Sequence, residues 1–173
     1  MKTVFINCSP KTRFCASSYF LFLQGLFTGG EKVHEKLRTP ADHRRILEQL
    51  RDAQTVVFGL PLYVDGVPSH VLRFMEEMET FCRENNLKLR VYCVANNGFI
   101  EGKQNEPMMQ VFEHFCTRAG LAWGGGVGIG GGVMLNVTRI LIPSFIFILF
   151  ADIFFIIISV LEGGIFRGWL AKK

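Results

Sequence analysis

The stretch VFINCSPKTRFCASSYFLFL, residues 4–23, joins three local patterns in one short piece of chain. An apolar run that ends at Asn7 predicts a buried strand, and the residues from Ser17 to Phe27 predict a helix. Between the two lies a small polar loop with hydroxyl and cationic side chains. Because a strand, a loop and a helix in this order open a parallel α/β sheet, this stretch indicates the fold class.

The rest of the chain repeats this alternation. Apolar runs bounded by Gly or Pro predict strands, and apolar residues at helical spacing predict helices. We predict strands at 3–7, 31–39, 55–60, 88–95 and 121–131, and helices at 17–27, 40–53, 67–86 and 106–120. Pro61 is expected to end the third strand before it, and the charged second strand is expected at an edge. The predicted fold is a parallel sheet with helices on both faces.

Composition narrows the function classes. The 173 residues suit one domain, and the net charge of +4 comes without a basic patch interleaved with aromatics, so we expect no nucleic-acid partner. The five cysteines form no C-x-x-C pair and the four histidines share no ligand spacing. We therefore expect buried thiols in a reducing compartment and no metal site. The first strand-like run follows Met1-Lys2 without a signal-peptide pattern, which predicts a cytoplasmic protein.

Three loops should form one ligand site. Ligands on parallel sheets bind beyond the carboxyl ends of the strands, so the loops after the first, third and fourth strands belong together. We name them the first loop (residues 7–18, NCSPKTRFCASS), the second loop (61–68, PLYVDGVP) and the third loop (95–105, ANNGFIEGKQN).

The first loop has the groups that a phosphate needs. Helix N–H groups and the positive potential of a helix start attract a phosphate, and hydroxyls and cations add to them. The hydroxyls are those of Ser9, Thr12, Ser17 and Ser18, and the cations are Lys11 and Arg13. The glycine spacings of nucleoside-triphosphate loops and dinucleotide folds are absent, so the loop favours a phosphate monoester.

Two other interpretations of the first loop stay open. It can be an ordinary solvated loop in which a serine caps the following helix. Cys8 with Arg13 downstream also approaches the thiolate loop of small tyrosine phosphatases, although four residues separate the two here and that family has five.

The second and third loops suit a flat ring. Leu62, Tyr63 and Val64 follow a buried strand and place an apolar, aromatic surface at the rim of the sheet. Residues 95–99 add amide side chains, a glycine and Phe99, and backbone amides there can bond the polar edge of a heterocycle.

The three loops together resemble a known family. Residues 6–18, INCSPKTRFCASS, resemble the G-S-P-R-x-x-S-x-(S/T) loop of the NAD(P)H-dependent FMN reductases and their flavodoxin-like relatives. Residues 61–76, PLYVDGVPSHVLRFME, resemble their P-L-Y-x-x-x-x-P-x-x-L-K segment. Residues 94–132 resemble the fourth strand, the helix and the Gly-rich fifth strand of a bacterial flavodoxin-family group. The resemblance covers about residues 2–133.

The resemblance implies a flavodoxin-like three-layer sandwich over residues 1–133, with a five-stranded parallel sheet of order 2-1-3-4-5 that binds FMN. It implies that the FMN phosphate is held by Ser9, Lys11, Ser17 and Ser18, and the hydroxyl of Thr12 lies in the same loop. The isoalloxazine ring would be flanked by Pro61, Leu62, Tyr63 and Val64. Its other side would be bordered by Asn96, Asn97, Gly98 and Phe99. Relatives pair as dimers, so a homodimer is also implied.

The first loop departs from the family at Cys8 and Lys11, and Phe14 and Cys15 also make it more apolar than is usual in the family. Cys8 stands where the family has Gly, which leaves the backbone less room beside the phosphate. Lys11 stands where the family has Arg, which exchanges a fork of donors for a point charge.

The resemblance implies an FMN-dependent oxidoreductase. It would take a hydride from NADH or NADPH and pass electrons to a quinone, a flavin or a similar small acceptor. We assign no catalytic acid or base, because the flavin supplies the hydride chemistry. Two alternatives are a non-catalytic flavin-binding or electron-transfer module and a protein that kept the fold and lost the cofactor.

Residues 134–173 form a separate hydrophobic segment. Its part ILIPSFIFILFADIFFIIISVL, 140–161, is long enough to span a bilayer, although Asp152 would be costly in contact with lipid. Three interpretations stay open: a helix that spans the membrane or associates with its cytoplasmic face, a buried and unusually hydrophobic final helix, and a tail altered by a frameshift or a gene-model error.

Overall fold

A computed structural model describes residues 1–12 and 15–131, in which strands and helices alternate as predicted. The strands are β1 (Lys2–Asn7), β2 (Glu31–Lys36), β3 (Thr55–Pro61), β4 (Arg90–Asn96) and β5 (Ala122–Ile129). The helices are α1 (Ala16–Leu26), α2 (Pro40–Leu50), α3 (Ser69–Glu84) and α4 (Glu106–Ala119). A short 3₁₀ turn, Gly102–Asn105, precedes α4 and has no counterpart among the predicted elements.

The five strands form one sheet in the order β2-β1-β3-β4-β5, and every neighbouring pair is parallel. This is the order that the resemblance implied, and β2 lies at an edge as expected. Because β1, β3 and β4 are consecutive neighbours, their carboxyl ends lie side by side. The sheet therefore brings the first, second and third loops to one edge.

The larger core lies on one face of the sheet, under α2, α3 and α4. At its centre the ring of Phe58 packs against the rings of Phe74 and Phe112, with centroids 6.3 and 5.1 Å apart. On the other face, α1 covers a smaller cluster of Phe5, Leu21, Val57 and Val94. The predicted layers of helix, sheet and helix are thus present in the described part.

The third strand was predicted to end at residue 60, before Pro61, and this prediction is wrong. Pro61 is the last residue of β3 and pairs with Asn96 of β4. A proline removes one N–H from the ladder, but the next residue restores the pairing, because the Leu62 N–H donates to the Asn96 carbonyl at 2.8 Å. A proline is tolerated at such a strand end.

All five cysteines are free and buried, which confirms the expectation of buried thiols. The hydrophobic segment 140–161 and the domain boundary at residue 133 lie outside the described residues, so the interpretations of the tail stay predictions. Within residues 1–12 and 15–131, no helix is both long and apolar enough to cross a membrane.

The start of α2 leads to a prediction about pH. Thr39 precedes the helix, and the backbone N–H groups of Thr39 and Arg38 donate to Asp42 Oδ2 at 3.0 and 3.1 Å. Desolvation is the largest single influence and raises the pKa of Asp42, but these hydrogen bonds together hold that pKa below its ordinary value. A carboxylate with a lowered folded pKa stabilises the protein above its unfolded pKa and loses this effect as the pH falls below it.

We expect Asp42→Ala to lower the free energy of unfolding by about 1 kcal/mol at neutral pH, because the helix loses its capping partner. The difference from the unmodified protein should shrink as the pH falls below about 4, the ordinary pKa of an aspartate in the unfolded chain, and should vanish once the pH is also below the lowered pKa of Asp42 in the folded protein. Urea denaturation across this range measures both effects. Glu84→Gln is the control, since this exposed residue makes no ion pair in the described part. A difference that stays constant into acid would contradict the role of the carboxylate.

Candidate functional site

The three loops meet at Asn96, the last residue of β4. The Ser17 hydroxyl, at the start of α1, donates to Asn96 Oδ1 at 2.9 Å, across 79 residues of sequence. The Asn96 carbonyl accepts the N–H of Leu62 from the second loop. Both Asn96 and Ser17 are buried, so the contacts are shielded from water. The side chain of Asn96 therefore connects the first loop to the third, and the backbone of Asn96 connects the second loop to the same point.

Hydrogen bonds among Asn7, Ser9, Lys11 and Cys15 hold the first loop together. The Ser9 N–H donates to Asn7 Oδ1 at 3.0 Å, and the Lys11 N–H donates to the Ser9 hydroxyl at 3.4 Å. The Asn7 side-chain amide also reaches the thiol of Cys15, with its nitrogen 3.6 Å from Sγ. These contacts turn the chain sharply between β1 and α1 and leave the side chains of Lys11 and Thr12 exposed.

The hydroxyls of Ser17 and Ser18 already have protein partners. Ser17 bonds to Asn96, and the Ser18 hydroxyl donates to the Cys15 carbonyl at 2.7 Å and accepts from the Cys15 N–H at 3.3 Å. Ser18 is thus part of a capping box whose cap residue is Cys15. This is close to the interpretation of an ordinary capped helix, with a cysteine in place of the expected serine. Either serine would have to exchange a partner before its hydroxyl could donate to a phosphate.

The two cysteines of the first loop differ in chemistry. Complete burial, together with Cys93 nearby, raises the pKa of the Cys8 thiol well above its ordinary value. A nucleophilic thiolate needs the opposite, so the described geometry disfavours the phosphatase interpretation; Arg13, on which it also depends, lies outside the described residues. For Cys15, desolvation is the largest influence and raises the pKa, but hydrogen bonds from Ser9, Ser18 and Asn7 outweigh it and the pKa is lowered.

Two residues that reach the first loop were missed by the sequence reasoning. The Arg38 guanidinium, which follows β2, donates from Nη2 to the Lys11 carbonyl at 2.5 Å. His70, in the first turn of α3, has Nε2 at 3.0 Å from the Cys8 carbonyl. Both contacts join residues more than 25 positions apart, so no local pattern could have indicated them. Leu37, directly before Arg38, pairs with the end of β1, because its N–H donates to the Asn7 carbonyl at 3.0 Å.

The second loop ends in a tight turn with unusual backbone angles. Tyr63 and Gly66 exchange both backbone hydrogen bonds, at 3.4 and 3.0 Å, and the two residues between them have positive φ, 45° for Val64 and 56° for Asp65. Positive φ at both central positions defines a type I′ turn, which normally selects Asn or Gly. A β-branched residue such as Val64 is strained there, and strain of this kind concentrates at functional sites.

The tips of the second and third loops expose apolar side chains. Tyr63 is 42% exposed and Val64 fully exposed in the second loop, and Phe99 and Ile100 are 57% and 93% exposed in the third. Asn97 is buried beside them; its side-chain amide donates to the Glu101 carbonyl at 2.9 Å, and its Oδ1 has no partner among the described residues. Gly98 is exposed. The arrangement offers apolar contact area around polar backbone, as a heterocycle requires.

The third loop packs against β5 through glycines. A Cβ on Gly128 would lie 2.6 Å from the Gly102 carbonyl oxygen and 2.9 Å from Asn105 Cβ, and a Cβ on Gly130 would collide with the Ile100 carbonyl. The Asn97 N–H also donates to the Ile129 carbonyl at 3.0 Å. The Gly-rich sequence of β5, which sequence analysis treats only as a weakened strand, therefore allows the third loop to approach the sheet closely.

Other features of the described residues lie away from this edge. An open cavity of about 500 Å³ at the amino ends of the strands is lined by Lys88, Arg90 and Leu121 among others, and it touches none of the predicted site residues. We place the candidate site at the carboxyl edge, because the three loops in which the sequence predicts phosphate and ring contacts meet there. Within the described ranges, no group of three or more His, Cys, Asp or Glu residues could hold a metal ion.

Comparison with known proteins supports the fold. No protein-family model and no curated protein matches the chain. Among solved structures, Trp repressor binding protein from Bacillus subtilis is 18% identical with a TM-score of 0.64, covering 79% of this chain and 93% of its own. An NADPH-quinone reductase from P. pentosaceus is 14% identical with a TM-score of 0.60, covering 76% and 86%. An FMN-dependent NADH-azoreductase from Bacillus anthracis, in complex with FMN, is 16% identical with a TM-score of 0.53, covering 83% and 94%.

These similarities, with the strand order, show a flavodoxin-like α/β fold. The kinds of protein found are consistent with the family that the sequence motifs resemble.

Proposed function

We propose that this chain is an FMN-dependent oxidoreductase that transfers electrons from NADH or NADPH to a quinone, a flavin or a similar small acceptor. The observation that supports the proposal is the meeting of the three loops at Asn96, because it brings them together at the edge where ligands bind on such sheets. The FMN and the nicotinamide donors named for the similar solved structures support the same choice of ligands.

The residues present fit FMN at both ends. Tyr63, Val64 and Phe99 expose apolar surface that a flat ring would cover, and burial of that surface would stabilise the complex at about 25 cal/mol per Å². The backbone N–H of Gly98 lies beside this surface and would bond the polar edge of the ring, since the Asn97 N–H already donates to the Ile129 carbonyl.

At the phosphate end, Lys11 and Thr12 are exposed in the first loop. The first N–H groups of α1 have no partner within the helix and add positive potential. We propose that Ser9 shapes this loop through its contact with Lys11 and that Ser17 and Ser18 hold the start of α1, each able to turn toward the phosphate.

When bound, FMN supplies the hydride and electron-transfer chemistry. The second and third loops of the protein would hold the ring. Pro61 and Leu62 would fix the second loop against β4, since Pro61 ends the strand and Leu62 bonds to Asn96. We assign no acid or base to the reaction. The homodimer and the cytoplasmic location stay predictions beside this proposal.

The test is turnover by the full chain after incubation with FMN. We expect oxidation of NADH or NADPH, followed at 340 nm, that depends on added FMN and on a quinone or azo acceptor. Tyr63→Ser with Phe99→Ser should reduce FMN binding, while Val111→Ser, an exposed apolar residue on α4, is the matched control. Binding of FMN without any oxidation of either donor would favour the alternative of a non-catalytic flavin-binding or electron-transfer module.

A further inference from the structure

Arg38 is placed by the sheet rather than by the first loop itself. It follows β2, and β2 pairs in parallel with β1, so the end of β2 lies beside the end of β1 where the first loop begins. The backbone N–H of Arg38 donates to Asp42 Oδ2 at 3.1 Å, which fixes its main chain at the start of α2. The backbone of Arg38 is thus fixed at the start of α2, and its side chain extends toward the first loop.

The guanidinium of Arg38 contacts the backbone of the first loop. Its Nη2 donates to the Lys11 carbonyl at 2.5 Å, and the residue is only partly exposed. Its Nε is buried and has no hydrogen-bond partner among the described residues. A guanidinium has five N–H donors, so the single contact with Lys11 leaves most of them available.

The charge of Arg38 is not neutralised within the described part of the chain. The nearby carboxylate of Asp42 accepts the Arg38 backbone N–H, and its ion pair is with Arg45, at 3.1 Å. Arg45 in turn also pairs with Glu35, at 2.9 Å. Because its Nε is buried without a hydrogen-bond partner, the guanidinium lacks one bond that water would otherwise give it, and an anion beside it would restore that bond.

We propose that Arg38 binds the phosphate monoester of FMN together with Lys11 and Thr12, the exposed residues in the described part of the first loop. Arginine forms paired hydrogen bonds with a phosphate, whereas lysine acts as a point charge. Lys11 occupies the position where the resembling loops have arginine, and the guanidinium of Arg38 lies against the backbone of this same residue. Arg38, which follows β2, therefore places a fork of donors beside the lysine that stands where the resembling loops have arginine. This inference rests on the proposed function and adds a binding residue to it.

The test compares the dissociation constants of FMN and riboflavin, which lacks the phosphate, by flavin fluorescence on the full chain. For Arg38→Gln we expect FMN binding to weaken about ten- to hundredfold, as for loss of a charge-assisted hydrogen bond, with riboflavin binding changed by less than about twofold. Arg45→Gln is the control for charge, because Arg45 lies on α2 soon after Arg38 in the chain and is paired with Glu35 and Asp42. For Arg38→Lys we expect an FMN dissociation constant between those of the unmodified protein and Arg38→Gln. If Arg38→Gln does not fold, Arg38→Lys takes its place in the comparison.

Each outcome decides the proposal. Equal weakening of FMN and riboflavin would overturn it and leave Arg38 with a purely structural role through the Lys11 carbonyl. The proposal would also be overturned if Arg38→Gln left the binding of both flavins unchanged and raised the KM for NADPH but not for NADH. Arg38 would then bind the 2′-phosphate of the donor. If the unmodified protein binds neither flavin, the proposed function fails. In that case the binding of inorganic phosphate tests the role of Arg38. Phosphate should raise the Tm of the unmodified protein and leave the Tm of Arg38→Gln unchanged.

Discussion

Replacing Phe58 with alanine is expected to lower the free energy of unfolding by about 3–5 kcal/mol. Phe58 is fully buried on β3, and its ring packs between Phe74 of α3 and Phe112 of α4. Alanine would remove the contacts that join the central strand to two helices and leave a cavity that the neighbours cannot fill. Since a domain of this size has a net stability of about 5–15 kcal/mol, the loss is a large part of the total.

Urea denaturation followed by circular dichroism measures this effect, and Val111→Ala is the control, because that side chain is 39% exposed and should change stability by less than about 0.5 kcal/mol. A loss below about 1 kcal/mol for Phe58→Ala would show that the aromatic cluster is not the centre of the core.

Replacing Gly59 with valine is expected to cost about 3 kcal/mol and to weaken FMN binding. A Cβ at this position would lie 2.5 Å from Leu21 Cγ and 2.6 Å from Leu21 Cδ1. Leu21 is itself buried, so it cannot turn into solvent and α1 has to move away from the sheet. Because α1 also carries Ser17, its displacement would break the contact with Asn96 and separate the first loop from the third.

A double-mutant cycle tests this explanation. Leu21→Ala alone should destabilise the protein by about 2–5 kcal/mol, but it opens the space that valine at position 59 needs. The double variant should therefore be more stable than the sum of the two single effects predicts. Gly29→Ala is the control, since a Cβ there meets nothing within 4 Å. Strict additivity of the two changes would show that Gly59 is not required for the approach of α1.

The fold could be predicted largely from local patterns. The apolar runs of β1, β3 and β4 and the helical spacing of Val71, Phe74 and Met78 all reflect burial, which the sequence records at each position. Pro61 was misjudged, because a local rule about strand interiors does not apply at the last residue of a strand. At the turn, Asp65 followed by Gly66 agrees with residue preferences, but the positive φ of Val64 contradicts the preference of a β-branched residue and could not have been predicted from it.

The candidate site could be located but not detailed. That the three loops share an edge followed from the parallel sheet, and Ser17 and Asn96 were both chosen, although their contact with each other was not foreseen. Arg38 and His70 reach the first loop from distant elements, and such contacts depend on the packed fold rather than on spacing. The partners of Ser18 likewise depend on how the helix start is capped.

The measurement that tests the central claim most directly is a titration of the full chain with FMN, followed by the absorption and fluorescence of the flavin. We expect saturation at one FMN per chain with a micromolar or tighter dissociation constant, about −8 kcal/mol, and a shifted flavin spectrum because the ring leaves water. The variant Asn96→Leu should bind FMN more weakly, because it lacks the Oδ1 that accepts the Ser17 hydroxyl and joins the first loop to the third. No saturable binding up to about millimolar FMN, about −4 kcal/mol, would contradict the claim that these loops form a flavin site.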